Sequence, residues 1–348
     1  MKHIRRPEPT TPAKPVSLAL QGGGAHGAFQ WGVLDRLLEY GALEVHSIAA
    51  ASAGAMNAVA LVSGLMQGGR EGARKTLEDF WRAVSQGGTR GVFGENLVAN
   101  LATDWFTNNP AYKYMEALTS TVTVSPYDFN PLNFNPLRDI LRDLIDFKAI
   151  REQTGIELYI SATAVLTNEA KVFRTAELTA EHVMASACLP DVFQAVEIDG
   201  APYWDGGYLA NPPIWPLMEA KARDVLLCLL NPLEARKTPK TTSEIMDRLN
   251  EITFNSSVAA ELRAVALVED MLRSGRLKAG PGYTPLRFHI ISADKRLSDL
   301  TLPSKFNTDW TFLQDLKKRG REAAEEWLKD HLDQVGEQST VDLGKAFL

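Results

Sequence analysis

The chain reads as an α/β domain of three layers, a mainly parallel sheet covered by helices on both faces, with an inserted cap. Three observations carry that expectation. Near the N-terminus two strand–turn–helix units follow each other directly, the rhythm of parallel strands joined by crossover helices. Further along, apolar runs of strand length recur at Leu158–Val165, Val225–Leu230 and Leu286–Ile291, separated by helical patterns. The 348 residues are 45% hydrophobic and 23% charged, an ordinary globular balance with enough apolar residues for a large core.

Taken in order, residues 1–14 are proline-rich and charged and read as a flexible arm. Residues 16–21 read as a buried strand. The helix from Gly27 to about Tyr40 follows from Phe29, Val33, Leu34, Leu37 and Leu38 at helical spacing. Val45 to Ala51 is a second strand, and Gly54 to about Leu65 a helix with small residues on its packing face. From about 87 to 147 the rhythm breaks. The segment is rich in Asn, Pro and aromatics, and the run Ser125–Pro136 cannot be a regular helix because proline recurs within it. This stretch is expected to form the cap, a lid or substrate wall over one edge of the sheet. Lys171–Arg174 reads as a strand and 179–187 as a helix. Residues 242–274 and Trp310 to about Leu332 show long amphipathic helical patterns. The expected domain runs from 15 to 335, and residues 336–348 are expected to be a C-terminal tail.

Composition excludes several classes of function. A net charge of −6 gives no basic field for nucleic acid, so no nucleic-acid partner is expected. No segment approaches the roughly 18 apolar residues of a membrane span. Lys2, Arg5 and Arg6 are followed by Pro7-Glu8-Pro9 rather than an apolar signal core, so a cytoplasmic location is expected. Cys188 and Cys228 lie far apart in apolar stretches and read as buried free thiols. No metal constellation is present in the sequence: neither a Cys pair, nor H-E-x-x-H, nor an Asp-rich loop.

The chemistry concentrates in three segments. Ser52 lies in Ala50-Ala51-Ser52-Ala53-Gly54, where an apolar strand gives way to a helix, the setting of a nucleophile elbow. Such a turn crowds the positions two before and two after the serine, so Ala50 and Gly54 must be small. The run Gly22-Gly23-Gly24-Ala25-His26-Gly27 can aim backbone N–H groups at a developing oxyanion. The Gly22–Gly24 amides are expected to hold the oxyanion, Gly23 and Gly24 being the best donors, with Gly22 and Gly27 allowing the close turn. Asp205 precedes Gly206 and Gly207, residues without side chains that let a carboxylate approach the serine as a general base.

Two rival readings exist. Gly22, Gly24 and Gly27 also satisfy G-x-G-x-x-G, the dinucleotide fingerprint, which calls for an acidic residue at the end of the second strand. Ala51-Ser52 stand at that end, and Glu44 lies before the strand. A Ser–His–Asp triad would need a histidine after the acid. His289 qualifies by order, but the alternation Arg287–Ile291 makes it a strand residue of structural kind.

Together the three segments resemble the patatin-like phospholipase family, with its Gly-Gly-Gly-x-Arg/Lys-Gly loop, Gly-x-Ser-x-Gly elbow and Asp-Gly-Gly base. The likeness extends to Ala185-Ser186-Ala187-Cys188-Leu189-Pro190, with Phe193 and Val196, and to Asn211-Pro212-Pro213. It covers residues 16–216 well and the remainder loosely. It implies a Ser52–Asp205 dyad working through an acyl-enzyme on lipid acyl esters, without cofactor or metal. Transient contact with a membrane surface or lipid particle is the partner it suggests, and the oligomeric state is left open. Two departures stand out: His26 replaces the loop's Arg or Lys, and Ala50 replaces the elbow's first glycine. They leave a second reading, a weak or inactive fold that binds lipid or a protein partner.

Overall fold

The computed structural model describes residues 12–87, 125–152, 155–235, 237–278, 280 and 285–348. Eight strands form one sheet: β1 Lys14–Leu20, β2 Leu43–Ala50, β3 Glu157–Ala164, β4 Glu169–Arg174, β5 Val196–Ile198, β6 Ala201–Asp205, β7 Asp224–Leu229 and β8 Arg287–Ser292. The main path runs β5-β6-β3-β2-β1-β7-β8, with β4 paired to β3. The pairs β1–β2, β1–β7, β2–β3 and β7–β8 are parallel, whereas β3–β4, β3–β6 and β5–β6 are antiparallel. The sheet is therefore mixed but mostly parallel. Connections leave β1 first toward β2 and later return on its other side as β7, which makes the carboxyl end of β1 a topological switch point.

The helices include α1 Gly27–Tyr40, α2 Ala53–Ser85, α3 Pro136–Leu144, α4 Ala180–Ser186, α5 Thr242–Arg273, α6 Trp310–His331 and α7 Leu343–Phe347. Side-chain alternation along the strands divides them into two layers. Leu18, Leu20, Leu226 and Cys228 face α1, α2 and α6. Ala19, Val225, Leu227 and Leu229 face α5 and α7. A sheet buried on both faces explains why β1 and β7 read as continuous apolar runs rather than alternating ones.

Several boundaries differ from the expectation. The helix after Ser52 does not end near Leu65 but continues to Ser85, with a break at Gly68 and Gly69 where the dihedrals leave the helical region. Lys14, counted with the arm, opens β1 and donates to the Leu332 and Val335 carbonyls. Residues 336–348 are not loose: the Thr340 N–H donates to the Phe288 carbonyl and Leu343 is buried beneath α5. Of the expected cap, residues 88–124 lie outside the described residues, as do residues 1–11 of the arm. In the described part α3 packs on α2 and α4, and Asn130 O accepts from Gln194 Nε2 in the loop after α4. Both cysteines are free and buried.

Candidate active site

β1 and β2 run in register to Leu20 opposite Ala50, so the turns that follow them emerge side by side. Ser52 takes φ +51°, ψ −124° between β2 and α2, a conformation that costs a non-glycine residue of order 1–3 kcal/mol. Such strain is retained where the surroundings over-determine it. Here the Ser52 N–H donates to Ser186 Oγ at 2.9 Å, and α2 starts at the next residue. Gly54 is required by close approach: a Cβ there would overlap the Leu20 carbonyl oxygen. The crowding at the elbow thus comes from the end of β1 rather than from Ala50, which fits in the sheet as a fully buried residue.

Asp205 ends β6, whose pairing with β3 sets it beside the elbow. The Ser52 hydroxyl donates to Asp205 Oδ2 at 2.7 Å, and the Gly207 N–H donates to Oδ1 at 2.6 Å. The backbone is pinned as well, since the Asp205 N–H donates to Cys188 O and its carbonyl accepts from Thr163 Oγ1. The carboxyl is wholly buried. Burial pushes its pKa up to about 7, against the lowering effect of the Ser52 and Gly207 hydrogen bonds and the Lys305 charge. A carboxylate poised near neutrality suits a general base.

The glycine turn lies against the nucleophile, since a Cβ on Gly22 would come within 2.7 Å of Ser52 Cβ. Not all its amides are available. The Gly22 N–H donates to Asn211 Oδ1 at 2.6 Å, and the Gly27 N–H turns back on the Gly24 carbonyl. Counting Gly22 among the amides that hold an oxyanion is therefore corrected: Asn211 has taken its donor. The Gly23 and Gly24 N–H groups meet no hydrogen-bond acceptor among the described residues. Gly24 needs to be glycine, with φ +59° and the Lys305 backbone pressed against it.

A buried polar scaffold holds this turn. Gln21 Oε1 accepts from the Leu230 and Asn231 amides, while its Nε2 donates to Asn255 Oδ1. Asn231 Nδ2 donates to Gly22 O, and Gln30 Nε2 to Gln21 O. Asn255, the residue of a potential glycosylation sequon, donates to Pro232 O and is buried, so the folded chain offers no acceptor there.

His26 is buried and hydrogen-bonded to Ser304 at 2.7 Å. Burial first, then the nearby Lys305 charge, lowers its pKa to about 3, so it is neutral and supplies no cation. Lys305 is the cation nearby. Its ammonium donates to Asn231 Oδ1 at 2.7 Å and Asn250 Oδ1 at 2.6 Å.

Ser186, Asn231 and Lys305 carried no role in the sequence reading. Ser186 and Asn211 stood in segments quoted for the resemblance, which was the one available signal; nothing local marks Lys305. His289 sits on β8, bonded to Asp224 at 3.0 Å and Thr340 at 3.2 Å, three strands from β2. Glu44 is exposed at the start of β2, the end away from the glycine turn, so the dinucleotide pattern lacks its acid. Among the described residues no group of His, Cys, Asp and Glu is arranged to hold a metal ion, and no helix is long and apolar enough to cross a membrane.

Against known proteins, a family model described as Patatin-like phospholipase matches residues 18–218. Uncharacterized NTE family proteins of Mycobacterium bovis and Mycobacterium tuberculosis are each 27% identical over 254 residues. The match covers 71% of this chain and 59% of theirs, so the chain spans less than two thirds of those relatives. Among solved structures, VipD from Legionella pneumophila has a TM-score of 0.43 at 18% identity, with 92% of this chain and 68% of that one covered. ExoU, in its complex with SpcU from Pseudomonas aeruginosa, has a TM-score of 0.29 at 18% identity, over 92% and 60% of the two chains.

Proposed function

Because the chain belongs to the patatin-like phospholipase family, we propose that it hydrolyses acyl esters of lipids, with Ser52 as nucleophile and Asp205 as base. The observation that carries this reading is the 2.7 Å hydrogen bond from Ser52 Oγ to the buried Asp205 carboxylate. The glycine turn that adjoins Ser52 at Gly22 also carries two backbone N–H groups, those of Gly23 and Gly24, that no protein acceptor occupies among the described residues.

Ionised Asp205 takes the serine proton as Ser52 Oγ attacks the ester carbonyl carbon. The negative charge that gathers on the carbonyl oxygen is met by the Gly23 and Gly24 amides, each such donor being worth roughly 10²–10³ in rate. The C–O bond then breaks, and the departing alkoxide takes the proton from Asp205, leaving the acyl group on Ser52. Water enters, gives a proton to Asp205 and attacks the acyl carbon. Collapse releases a fatty acid, and the proton returns to Ser52 Oγ. Base and nucleophile are in direct contact, so no histidine relay is needed.

The test is labelling with a fluorophosphonate probe, which traps an activated serine, followed by mass spectrometry of the modified peptide. Labelling at Ser52, abolished in Ser52→Ala and reduced at least 100-fold in Asp205→Ala, is the expected result. Folded protein that takes no label would defeat the hydrolase reading and leave the lipid- or partner-binding one.

A further inference from the structure

We propose that Lys305 is a positioning residue of this site: its ammonium stabilises the anionic form of Asp205 and braces the oxyanion turn. It does so from the 3-10 turn Leu302–Phe306, outside the segment that matches the family. The proposal rests on the hydrolase reading above for its catalytic meaning, and on geometry for everything else.

Three contacts place this turn against the catalytic loop. Ser304 Oγ is hydrogen-bonded to His26 Nε2. The backbone carbonyl of Lys305 adjoins Gly24, whose N–H is one of the two open donors. The Lys305 ammonium is shared between Asn231 and Asn250, and Asn231 in turn donates to the Gly22 carbonyl. One side chain thereby links α5, the end of β7 and the glycine turn. The ammonium also lies 5.6 Å from the centre of the Phe254 ring, and that ring packs on Gly207, the residue whose N–H holds Asp205 Oδ1.

Among the described residues the hydrogen-bond partners of the ammonium are neutral amides, which carry no charge to compensate it. The carboxylates that face it are Glu251 and Asp247 on α5, and Asp205. Both α5 carboxylates are already engaged, Asp247 by the Leu302 N–H and Glu251 by Arg248. His26, across from it, is neutral, with Asp299 beyond. Around Asp205 the other groups are the Ser52 hydroxyl, the Gly207 amide, and the Cys188 and Tyr208 side chains, whose buried acid groups are pushed up and stay uncharged. Among the described residues Lys305 is thus the charged group that favours the ionised base. Its own pKa is brought down to about 8, chiefly by burial, so it remains protonated where Asp205 ionises.

The experiment follows the Asp205 carboxyl carbon by NMR across a pH titration of the full chain, in wild type, Lys305→Met, Lys305→Gln and Lys305→Arg, with Asp205→Asn for assignment. The Met and Gln variants are expected to raise the Asp205 midpoint by about 0.5–1 pH unit, and Arg to restore it. The acidic limb of kcat/KM for a short-chain nitrophenyl ester should move by the same amount with KM little changed. A merely structural role for Lys305 would lower activity without moving either midpoint. Should both neutral variants misfold, the reciprocal measurement decides: the Lys305 ammonium, followed at its ε-carbon, must titrate lower in Asp205→Asn than in wild type. An unchanged midpoint in either arm overturns the proposal. A wild type that neither hydrolyses ester nor labels, yet shows the coupled midpoints, overturns the hydrolase reading alone.

Discussion

At Asp205 a carboxyl that the proposed hydrolysis needs as an anion has no surface in contact with water. The conflict has a measurable cost. In the unfolded chain this carboxyl titrates near its ordinary 3.8, and in the folded chain near 7. Between those values the native state binds a proton that the unfolded state has lost, so stability falls as pH rises from about 4 to about 7 and is level above. Asp205→Asn cannot titrate; its Oδ1 can still accept from the Gly207 N–H, while its Nδ2 can only donate to Ser52 Oγ. The variant should be inactive, and its stability relative to wild type should grow by about 4 kcal/mol between pH 4 and pH 8. Urea unfolding at the two pH values checks this; a constant difference would mean that Asp205 is not raised. The same titration predicts that wild-type kcat/KM climbs through about pH 7 as the base ionises.

At the scale of elements, the strand–turn–helix units were legible because their signals are local: an apolar run, glycines, then helical spacing. Ser52, Asp205 and the glycine turn were legible for the same reason. The second half of α2 was not, because Gly68-Gly69 punctuates the pattern before Ala73, Leu77 and Phe80 resume it. Lys305 and Asn231 carry no local signal at all, since their meaning comes from the turn after β7 meeting α5 and the 302–306 turn. His289 shows how element geometry assigns a role. Burial would raise the Asp224 carboxyl, but the His289 hydrogen bond, Arg287 and the Gly336 N–H more than offset it and hold it well below the usual range. Asp224 therefore stitches β7, β8 and the chain after α6. Its contribution is present above the unfolded pKa, near 4, and is lost only as pH falls through the depressed value. Asp224→Ala leaves His289 and Arg287 without their partner and should cost about 3–5 kcal/mol. Because β8 is roughly 14 Å from β2 across three strand spacings, fluorophosphonate labelling of the folded fraction should persist. Labelling lost with the fold intact would restore His289 to the chemistry.

Over the whole molecule, the family match ends at residue 218, before β7, yet β1 has β7 as one of its two neighbours. The glycine turn is likewise held by Asn231, Asn255 and Lys305 from beyond that point. The site is therefore completed by the C-terminal third of the chain, and the second layer of the core depends on it too. That layer is closed at its edge by residues 336–348. The Phe288 N–H donates to Ser339 Oγ, the Thr340 N–H to Phe288 O, and Arg263 on α5 to Phe347 O. Leu343 belongs to the same buried cluster as Leu262, Val265 and Phe288. Leu343→Ala should cost about 2–4 kcal/mol as a buried large-to-small change. A chain ending at Val335 should lose more, because it also bares the outer edge of β8 to pairing with other chains. The expected result in thermal unfolding is a graded fall, wild type above Leu343→Ala above the truncated chain, with the truncated chain aggregating near its transition. Equal transitions for the truncated and full chains would return residues 336–348 to the status of a tail. Ester hydrolysis per folded molecule should be unchanged in Leu343→Ala, since Leu343 belongs to the layer beneath α5 and touches neither Ser52 nor Asp205.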